Sequence, residues 1–376
     1  MQPPDPQVRA AAFDACQRLL RWLRDEAYPF WSTRGMCRTH GGFQESVDLN
    51  GEPMDVPRRG RVQPRQIFSF ARAKRLGWTG DADFAVAHGL SYFLKNYRRP
   101  DGLFRTLVAK DGSPLDDSVA LYDQAFALLA FASASLADEG GRLRVAVDRY
   151  LRRPGGGFYS QTAPGPPLQS NPHMHLLESS LAWFRQTGAL EWGRIADEIG
   201  EIALAHFIDP VSGALRENFD EQWAPAQGLS GRIVEPGHQL EWAFLLLGWK
   251  GAEREEVRRA ARRLIDNAET HGVRNGVAIN SLLDDFSVHD DSARLWPQTE
   301  RLRAAALAAR VLGDGRYWQM ASDAAAGLMR YFDTPVRGIW HDQLLPDGRF
   351  RQVAVPAGNL YHIVGAIEAF DDLVAN

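Results

Sequence analysis

Residues 235–247 have the sequence EPGHQLEWAFLLL, which changes from polar to almost wholly apolar. A Pro-Gly pair ends the preceding segment, and a helical pattern begins at His238. Glu241 and Trp242 follow it by three and four positions, so all three side chains share one helix face. The residues after them are nearly all apolar, which predicts a helix buried on every side with an imidazole near its start. A core histidine hydrogen-bonded to Glu241 is the structural alternative.

Short glycine-centred segments recur along the chain, with helical patterns between them. The marker glycines stand roughly 55 to 63 residues apart: Gly42, Gly102, Gly157, Gly213, Gly276 and Gly338. Each interval accommodates a short turn or hairpin and two helices. Repetition at a nearly fixed period indicates one supersecondary unit stacked on itself, so the chain should hold about six units and about twelve helices.

Twelve helices are too many for one bundle, whereas a closed ring of helical hairpins buries an inner layer and leaves an amphipathic outer layer. Residues 121–136 and 238–247 are apolar nearly all round, as inner helices should be. Residues 192–202 and 254–267 carry charge on one side, as outer helices should. The sequence therefore predicts an all-α, single (α/α)6-barrel catalytic domain over residues 1–376, with short β-hairpins in the connecting loops and a pocket on the axis.

The composition limits the function classes. The 376-residue chain has a formal net charge of −4, so it has no global basic field for nucleic acid. Its two cysteines fit a reducing compartment. No signal core or run of roughly 18 apolar residues is present, which favours a cytoplasmic protein without membrane contact. Eleven tryptophans suit a carbohydrate site but also a large helical core. We expect a monomer or a homodimer.

In such a ring the N-terminal ends of the inner helices face the pocket, and polar residues there are the candidate ligands. Arg65 opens the first inner helix, and its planar guanidinium can bind two sugar hydroxyls at once. A solvated or capping arginine is an equal alternative. Asp123 opens the second inner helix and is a weaker candidate, because a carboxylate is favoured at any helix N-terminus.

The third inner helix begins with the sequence NPHMHLLE at residues 171–178. Positions i and i+2 of a helix point roughly 200° apart, so His173 and His175 cannot both hold one metal ion. Glu178 shares a face with His175, and we therefore predict that His175 points inward.

The last two inner helices supply three further candidates. Trp296 can stack on a sugar ring, and Glu300 can bind hydroxyls or orient a histidine. His362 opens the final helix, where the helix N-terminus disfavours the protonated imidazole and so suits a base. Packing roles are the alternative for Trp296 and His362.

Nucleotide loops, nucleophile elbows and convincing metal-ligand spacings are absent from the sequence. We therefore predict no metal and no cofactor, and a small monosaccharide as the partner. Histidines titrate near pH 6.5, the range needed to move protons at carbon.

The chain resembles the N-acylglucosamine 2-epimerase superfamily, whose members share the (α/α)6 barrel. Five motifs carry the resemblance in family order: RVQPRQIFSFARA at 61–73, NPHMHLLE at 171–178, EPGHQLEWAFLLL at 235–247, RLWPQTE at 294–300 and YHIVGAIEA at 361–369. The YHIVGAI ending and the single PRQ motif look closest to the D-mannose isomerase and sulfoquinovose isomerase branch.

The resemblance implies roles residue by residue. His238 and His362 match the family's acid/base pair, and His175 and Arg65 match substrate-binding positions. Glu241 matches the carboxylate that supports the first histidine. The implied reaction is metal-independent proton transfer through a cis-enediol, interconverting D-mannose and D-fructose.

Other functions remain open at this stage. A sugar 2-epimerase would use the same residue types. A glycoside hydrolase would pair two carboxylates, Asp123 with Glu178, Glu241 or Glu300. A sugar-binding member without activity is a third class. The arginines of the first loop also leave a phosphorylated or sulfonated sugar possible: Arg34, Arg38, Arg58, Arg59 and Arg61.

Overall fold

A computed structural model describes residues 5–162, 165 and 167–375. Within these residues the chain is mostly helical. Its α-helices are α1 (Pro6–Trp22), α2 (Tyr28–Thr33), α3 (Val62–Ala73), α4 (Ala82–Asn96), α5 (Leu121–Ser133), α6 (Ala137–Leu151), α7 (Ser170–Thr187), α8 (Leu190–Ile202), α9 (Pro236–Gly248), α10 (Glu255–Gly272), α11 (Leu295–Leu312), α12 (Arg316–Met329) and α13 (Leu360–Val374). A π-helical turn, Leu23–Ala27, joins α1 to α2, so these two helices act as one long outer helix.

The helices form two concentric layers. Helices α3, α5, α7, α9, α11 and α13 each contact the next around a closed inner ring, and α13 returns to α3. Helices α4, α6, α8, α10 and α12 pack outside them, and α1 completes the outer layer against α12 and α13. The predicted (α/α)6 barrel is confirmed.

The strands are short and lie in the loops between helices. They are β1 (Ser46–Val47), β2 (Arg58–Arg59), β3 (Leu107–Val108), β4 (Pro114–Asp116), β5 (Leu168–Gln169), β6 (Asn218–Phe219), β7 (Ile233–Val234), β8 (Val273–Arg274), β9 (Val277–Ala278), β10 (Ser281–Leu283), β11 (Val288–Asp290), β12 (Ala293–Arg294), β13 (Gln343–Leu344) and β14 (Val355–Pro356). Strands β3–β4, β8–β9 and β10–β11 form the expected hairpins. Strand β1 pairs antiparallel with β14, which ties the first loop to the last.

A buried glutamine near the start of several inner helices explains the repeating glycine segments. The side chain of Gln63 accepts from the Phe43 N–H (2.7 Å) and donates to the Phe43 carbonyl (2.9 Å). Gln124 does the same for Phe104, at 2.8 and 2.9 Å. Each glutamine thus satisfies a buried peptide group of the loop that precedes its helix. The same bonds fix that loop over the barrel.

The marker Gly42 shows why these loops need glycine. It adopts φ +66°, in the left-handed region that glycine tolerates best. A Cβ at this position would lie 2.5 Å from the Tyr92 ring and 2.7 Å from Gln63 Oε1. The backbone must therefore approach both side chains closely for the loop to reach its glutamine.

Two helix boundaries differ from the prediction. The second inner helix, expected to reach residue 136, ends at Ser133, because Ser135 takes a positive φ of 57°. The fourth begins at Pro236 rather than at His238, since proline has the φ of the first helical position and needs no hydrogen bond from its nitrogen there. No helix of the described residues combines the length and apolarity that a membrane span requires.

Candidate active site

A cavity of about 380 Å³ lies at the N-terminal ends of the inner helices. Six of the nine predicted site residues are on its wall: Arg65, His175, His238, Glu241, Trp296 and His362. The other three are buried outside that wall: Asp123, Glu178 and Glu300. The ring thus brings side chains from distant parts of the chain to one cavity, as the sequence predicts.

His238 lies in the first turn of α9, and a carboxylate holds one edge of its ring. Its Nδ1 is 3.0 Å from Glu217 Oε1 and 3.9 Å from Glu235 Oε2. Burial alone would lower the pKa of His238, but these carboxylates outweigh it and raise the pKa to about 9. The ring is therefore an imidazolium at neutral pH, and its Nε2 has no partner among the described residues.

Glu241, predicted to support His238, makes no direct contact with it, although its charge helps to raise the pKa of His238. Glu241 Oε1 lies 3.8 Å from His175 Nδ1 instead, and Glu217 is the partner of His238. A shared helix face does not fix which way an imidazole edge turns, and Nδ1 of His238 turns towards the loop before β6. Sequence spacing offers no signal for this contact, because Glu217 belongs to a separate loop.

His362 lies in the first turn of α13, and its surroundings lower the pKa of its ring. Its Nδ1 is 2.7 Å from Glu300 Oε1. Burial lowers the pKa of His362 to about 4, with Arg65 and Arg303 lowering it further against the opposing effect of Glu300. The ring is therefore neutral at pH 7. Of the two roles proposed for Glu300, contact with a histidine is the one that the geometry favours.

A buried arginine, Arg303, lies among three carboxylates beneath the cavity. Its Nη2 donates to Glu178 Oε1 (2.9 Å) and its Nη1 to Glu300 Oε2 (3.0 Å). The cation lowers the pKa of both carboxyl groups although burial raises them. Burial, with Glu300 and Glu178, holds the pKa of Glu241 well above its ordinary value.

Arg303 is not among the site residues predicted from the sequence. The available signal was a charged residue in the middle of an apolar inner helix, three positions after Glu300. Because a buried charge is almost always paired, that residue pointed to carboxylates nearby.

Arg65 lies in the first turn of α3 with no carboxylate partner among the described residues. Its Nη2 donates to the Tyr122 hydroxyl at 2.5 Å, and its guanidinium lies 4.1 Å from the centroid of the Phe126 ring. Its Nε is buried and has no acceptor in the described part of the chain. A buried cation with spare donors at the cavity wall can bind an oxyanion.

His175 points into the barrel and His173 does not, as predicted. His175 Nδ1 is 3.3 Å from Glu178 Oε2, and burial lowers the pKa of His175 to about 4. His173 Nε2 accepts from the Phe158 N–H at 3.0 Å, while its Nδ1 donates to the Gln169 carbonyl at 2.8 Å. His173 therefore fixes a loop, as the glutamines do in other units.

Trp296 lies beside both the protonated His238 and the neutral His362. Its ring centroid lies 4.9 Å from that of His238 and 5.8 Å from that of His362. The two imidazoles therefore share one indole as a neighbour. A flat aromatic wall beside both rings suits a sugar ring or its open chain.

Asp123 does not lie on the cavity wall. It is 1 % exposed, and its Oδ1 is 3.1 Å from Arg61 Nε. Burial raises the pKa of Asp123 against the effect of Arg61. The prediction that Asp123 binds sugar is not supported by this position, because Asp123 is paired with Arg61, which itself lines the cavity.

Two groups of described residues have the ligand spacing of a metal site. Within each group the candidate atoms lie within 4.8 Å of one another: His175, Glu178 and Glu241, and also Glu241, Glu300 and His362. Both groups share Glu241, and Arg303 already supplies a positive charge to Glu178 and Glu300. The carboxylates Glu178 and Glu300 are therefore already paired with Arg303 and with a histidine each.

The fold and this site define a sugar isomerase or epimerase. Residues 41–366 match the family described as N-acylglucosamine 2-epimerase. The chain belongs to that family, which confirms the resemblance found in the sequence.

Three known proteins illustrate the relationship. The mannose-6-phosphate isomerase of Rhizobium meliloti (strain 1021) is 45 % identical over 94 % of this chain and 96 % of its own. A D-mannose isomerase of Thermobifida fusca is 29 % identical over 69 % and 70 %. The solved structure of cellobiose 2-epimerase from Spirochaeta thermophila DSM 6192 superposes with a TM-score of 0.87 at 22 % identity and covers 99 % of both chains, which supports the fold.

Proposed function

We propose that this protein is an aldose–ketose isomerase that interconverts D-mannose and D-fructose through a cis-enediol in its single barrel domain, without a metal. The observation that carries the proposal is the pair of histidines beside Trp296. The pKa of His238 is raised to about 9 and that of His362 is lowered to about 4. At neutral pH one ring is an acid and the other a base, as proton transfer at carbon requires.

The proposed steps follow from these states. His238 assists ring opening by moving a proton between O1 and O5. His362 then removes the C2 proton of the open-chain aldose, so that the C2–H electrons form the C1=C2 bond and O1 becomes an oxyanion. Arg65 stabilises that oxyanion with its spare donors, and His175 binds a sugar hydroxyl. O1 is then protonated, O2 loses its proton, and His362 returns a proton to C1. These steps give the 2-ketose.

A 2-epimerase is the second candidate, because the same site could deliver a proton from His238 to the opposite face of C2. The relatives named as mannose-6-phosphate and D-mannose isomerases support the isomerase. A glycoside hydrolase is disfavoured, because Glu178 and Glu300 are held by Arg303 behind the wall and Asp123 is paired with Arg61.

The charges at the cavity mouth favour an unphosphorylated sugar. Arg59 pairs with Glu45, Arg61 Nε lies 3.1 Å from Asp123, and Arg294 Nη2 lies 3.0 Å from Glu235. These cations are already compensated. A 6-phosphate is the alternative, favoured by the number of arginines on the wall and by the name of the Rhizobium relative.

One experiment separates these substrates and products. The protein is incubated in D2O with D-mannose and, separately, with D-mannose 6-phosphate, and the products are followed by NMR. We expect D-fructose carrying deuterium at C1. D-glucose carrying deuterium at C2 would establish the epimerase instead. Turnover of the 6-phosphate alone would refute the free sugar, and no exchange with either would refute the reaction.

A further inference from the structure

A second cavity lies at the other end of the barrel, where the inner helices end. Its volume is about 450 Å³, and none of its lining residues belongs to the wall of the candidate active site. A buried layer that includes Glu178 and Arg303 separates the two. The proposed reaction gives this cavity no role.

Positive charge is in excess in the second cavity. Five arginine side chains and three carboxylates line it. Arg303 is paired with both Glu178 and Glu300, so the excess lies among the other four arginines, which face two carboxylates. Three of those arginines share two carboxylates: Arg75 contacts both Glu368 and Asp372, Arg72 Nε lies 3.4 Å from Glu368, and Arg310 Nη1 lies 3.7 Å from Asp372. These three arginines therefore carry one more positive charge than the two carboxylates neutralise.

Two arginines have donors to spare. Arg185, in the last turn of α7, makes no hydrogen bond or ion pair with any residue that the structure describes. Arg185 is exposed where it lines the cavity, so its donors are open to a ligand. Arg303 is only 5 % exposed, and its Nε is buried without an acceptor in the described part of the chain. Both residues line the cavity.

Helix ends explain part of this arrangement. Cations near helix C-termini are favoured by the helix dipole, so Arg72, Arg185 and Arg310 stabilise α3, α7 and α11. The dipole does not explain the unpartnered Arg303 Nε or the concave shape. The walls between the arginines are apolar, with Phe68, Leu129 and Phe244 among them.

We propose that this cavity binds a small organic phosphate monoester. The two positive charges in excess among Arg72, Arg75, Arg185 and Arg310 match a phosphate dianion, and arginine is suited to phosphate oxygens. Arg185 and Arg310 hold the dianion, and the apolar walls around Phe68 and Phe244 hold the organic part. The site is independent of the sugar cavity.

Calorimetric titration of the intact protein with phenyl phosphate tests the proposal, with benzyl alcohol as the neutral probe. Phenyl phosphate should bind with a dissociation constant in the millimolar range or tighter, and benzyl alcohol should not. Because Arg185→Met removes a charge-assisted hydrogen bond to the phosphate, it should weaken binding at least about tenfold. Arg310→Met should also weaken it, which provides a second variant.

Two control variants show where the probe binds. Arg149→Met removes an exposed arginine from the last turn of outer helix α6 and should leave the affinity unchanged. Arg65→Met alters the candidate active site and should also leave it unchanged. Circular dichroism verifies that each variant is folded. No binding by the intact protein, equal affinity in Arg185→Met, an equal loss in Arg149→Met, or a loss in Arg65→Met would each overturn the proposal.

Discussion

Replacing Glu217 by glutamine should change how activity depends on pH. The carboxylate lies 3.0 Å from His238 Nδ1 and is the largest of the influences that raise the pKa of His238 to about 9. Glutamine keeps the size and a hydrogen-bond acceptor but removes the charge. The pKa of His238 should then fall towards its ordinary value of about 6.5.

The size of the effect follows from the fraction of His238 that is protonated. At pH 8 that fraction is about 90 % with a pKa of about 9 and about 3 % with a pKa of about 6.5. If His238 acts as the acid, kcat/KM at pH 8 should fall by up to about thirtyfold. At pH 5.5 the ring is protonated in both proteins, so the change there should be small.

The assay is the pH profile of kcat/KM for D-mannose between pH 5 and 10. In the parent protein the alkaline limb should lie near pH 9, and in Glu217→Gln it should move to lower pH. Glu235→Gln is the matched control. Its carboxylate is 3.9 Å from Nδ1 and is paired with Arg294, so its limb should move less. If the alkaline limb of Glu217→Gln stays near pH 9, or if kcat/KM falls equally at every pH, Glu217 does not keep His238 protonated as the acid.

Three further predictions concern the base, the buried cation and the loop glutamines. His362→Asn should lower kcat by roughly 10²–10⁴-fold and stop deuterium incorporation while circular dichroism stays unchanged; near-normal turnover would remove His362 as the base. Arg303→Met leaves two buried carboxylates without their cation, so the free energy of unfolding should fall by about 3–5 kcal/mol in urea titrations. An unchanged midpoint would show that the charges are not coupled to stability. Gln124→Leu leaves the Phe104 peptide group unsatisfied and should cost about 1–3 kcal/mol for each lost partner. In that variant, amide exchange at Phe104 should rise, and unaltered protection there would contradict the loop-fixing role.

The sequence was sufficient for the barrel but not for every helix end. A repeating glycine segment and the two kinds of helix, apolar and amphipathic, depend on local spacing, which a sequence displays directly. The end of α5 depends on the positive φ of Ser135, a residue that seldom adopts it. The early start of α9 depends on Pro236 being the first helical residue.

The candidate site was predictable where a residue opens an inner helix. His175, His238 and His362 all reach the barrel interior because the ring aims those helix starts at its axis. The carboxylates that contact these histidines are less evident from the sequence. Glu217 comes from a loop 21 positions before His238, a contact that tertiary packing alone creates. Asp123 opens an inner helix too, but it is paired with Arg61.

His238 and His362 should hold opposite protonation states in one cavity. NMR titration of protein with ¹⁵N-labelled histidine measures both directly, with signals assigned through the His238→Asn and His362→Asn variants. We expect His238 to be an imidazolium at pH 7 and to titrate near pH 9, and His362 to be neutral with a midpoint near pH 4. Two midpoints together near pH 6.5, or the two states reversed, would contradict the account.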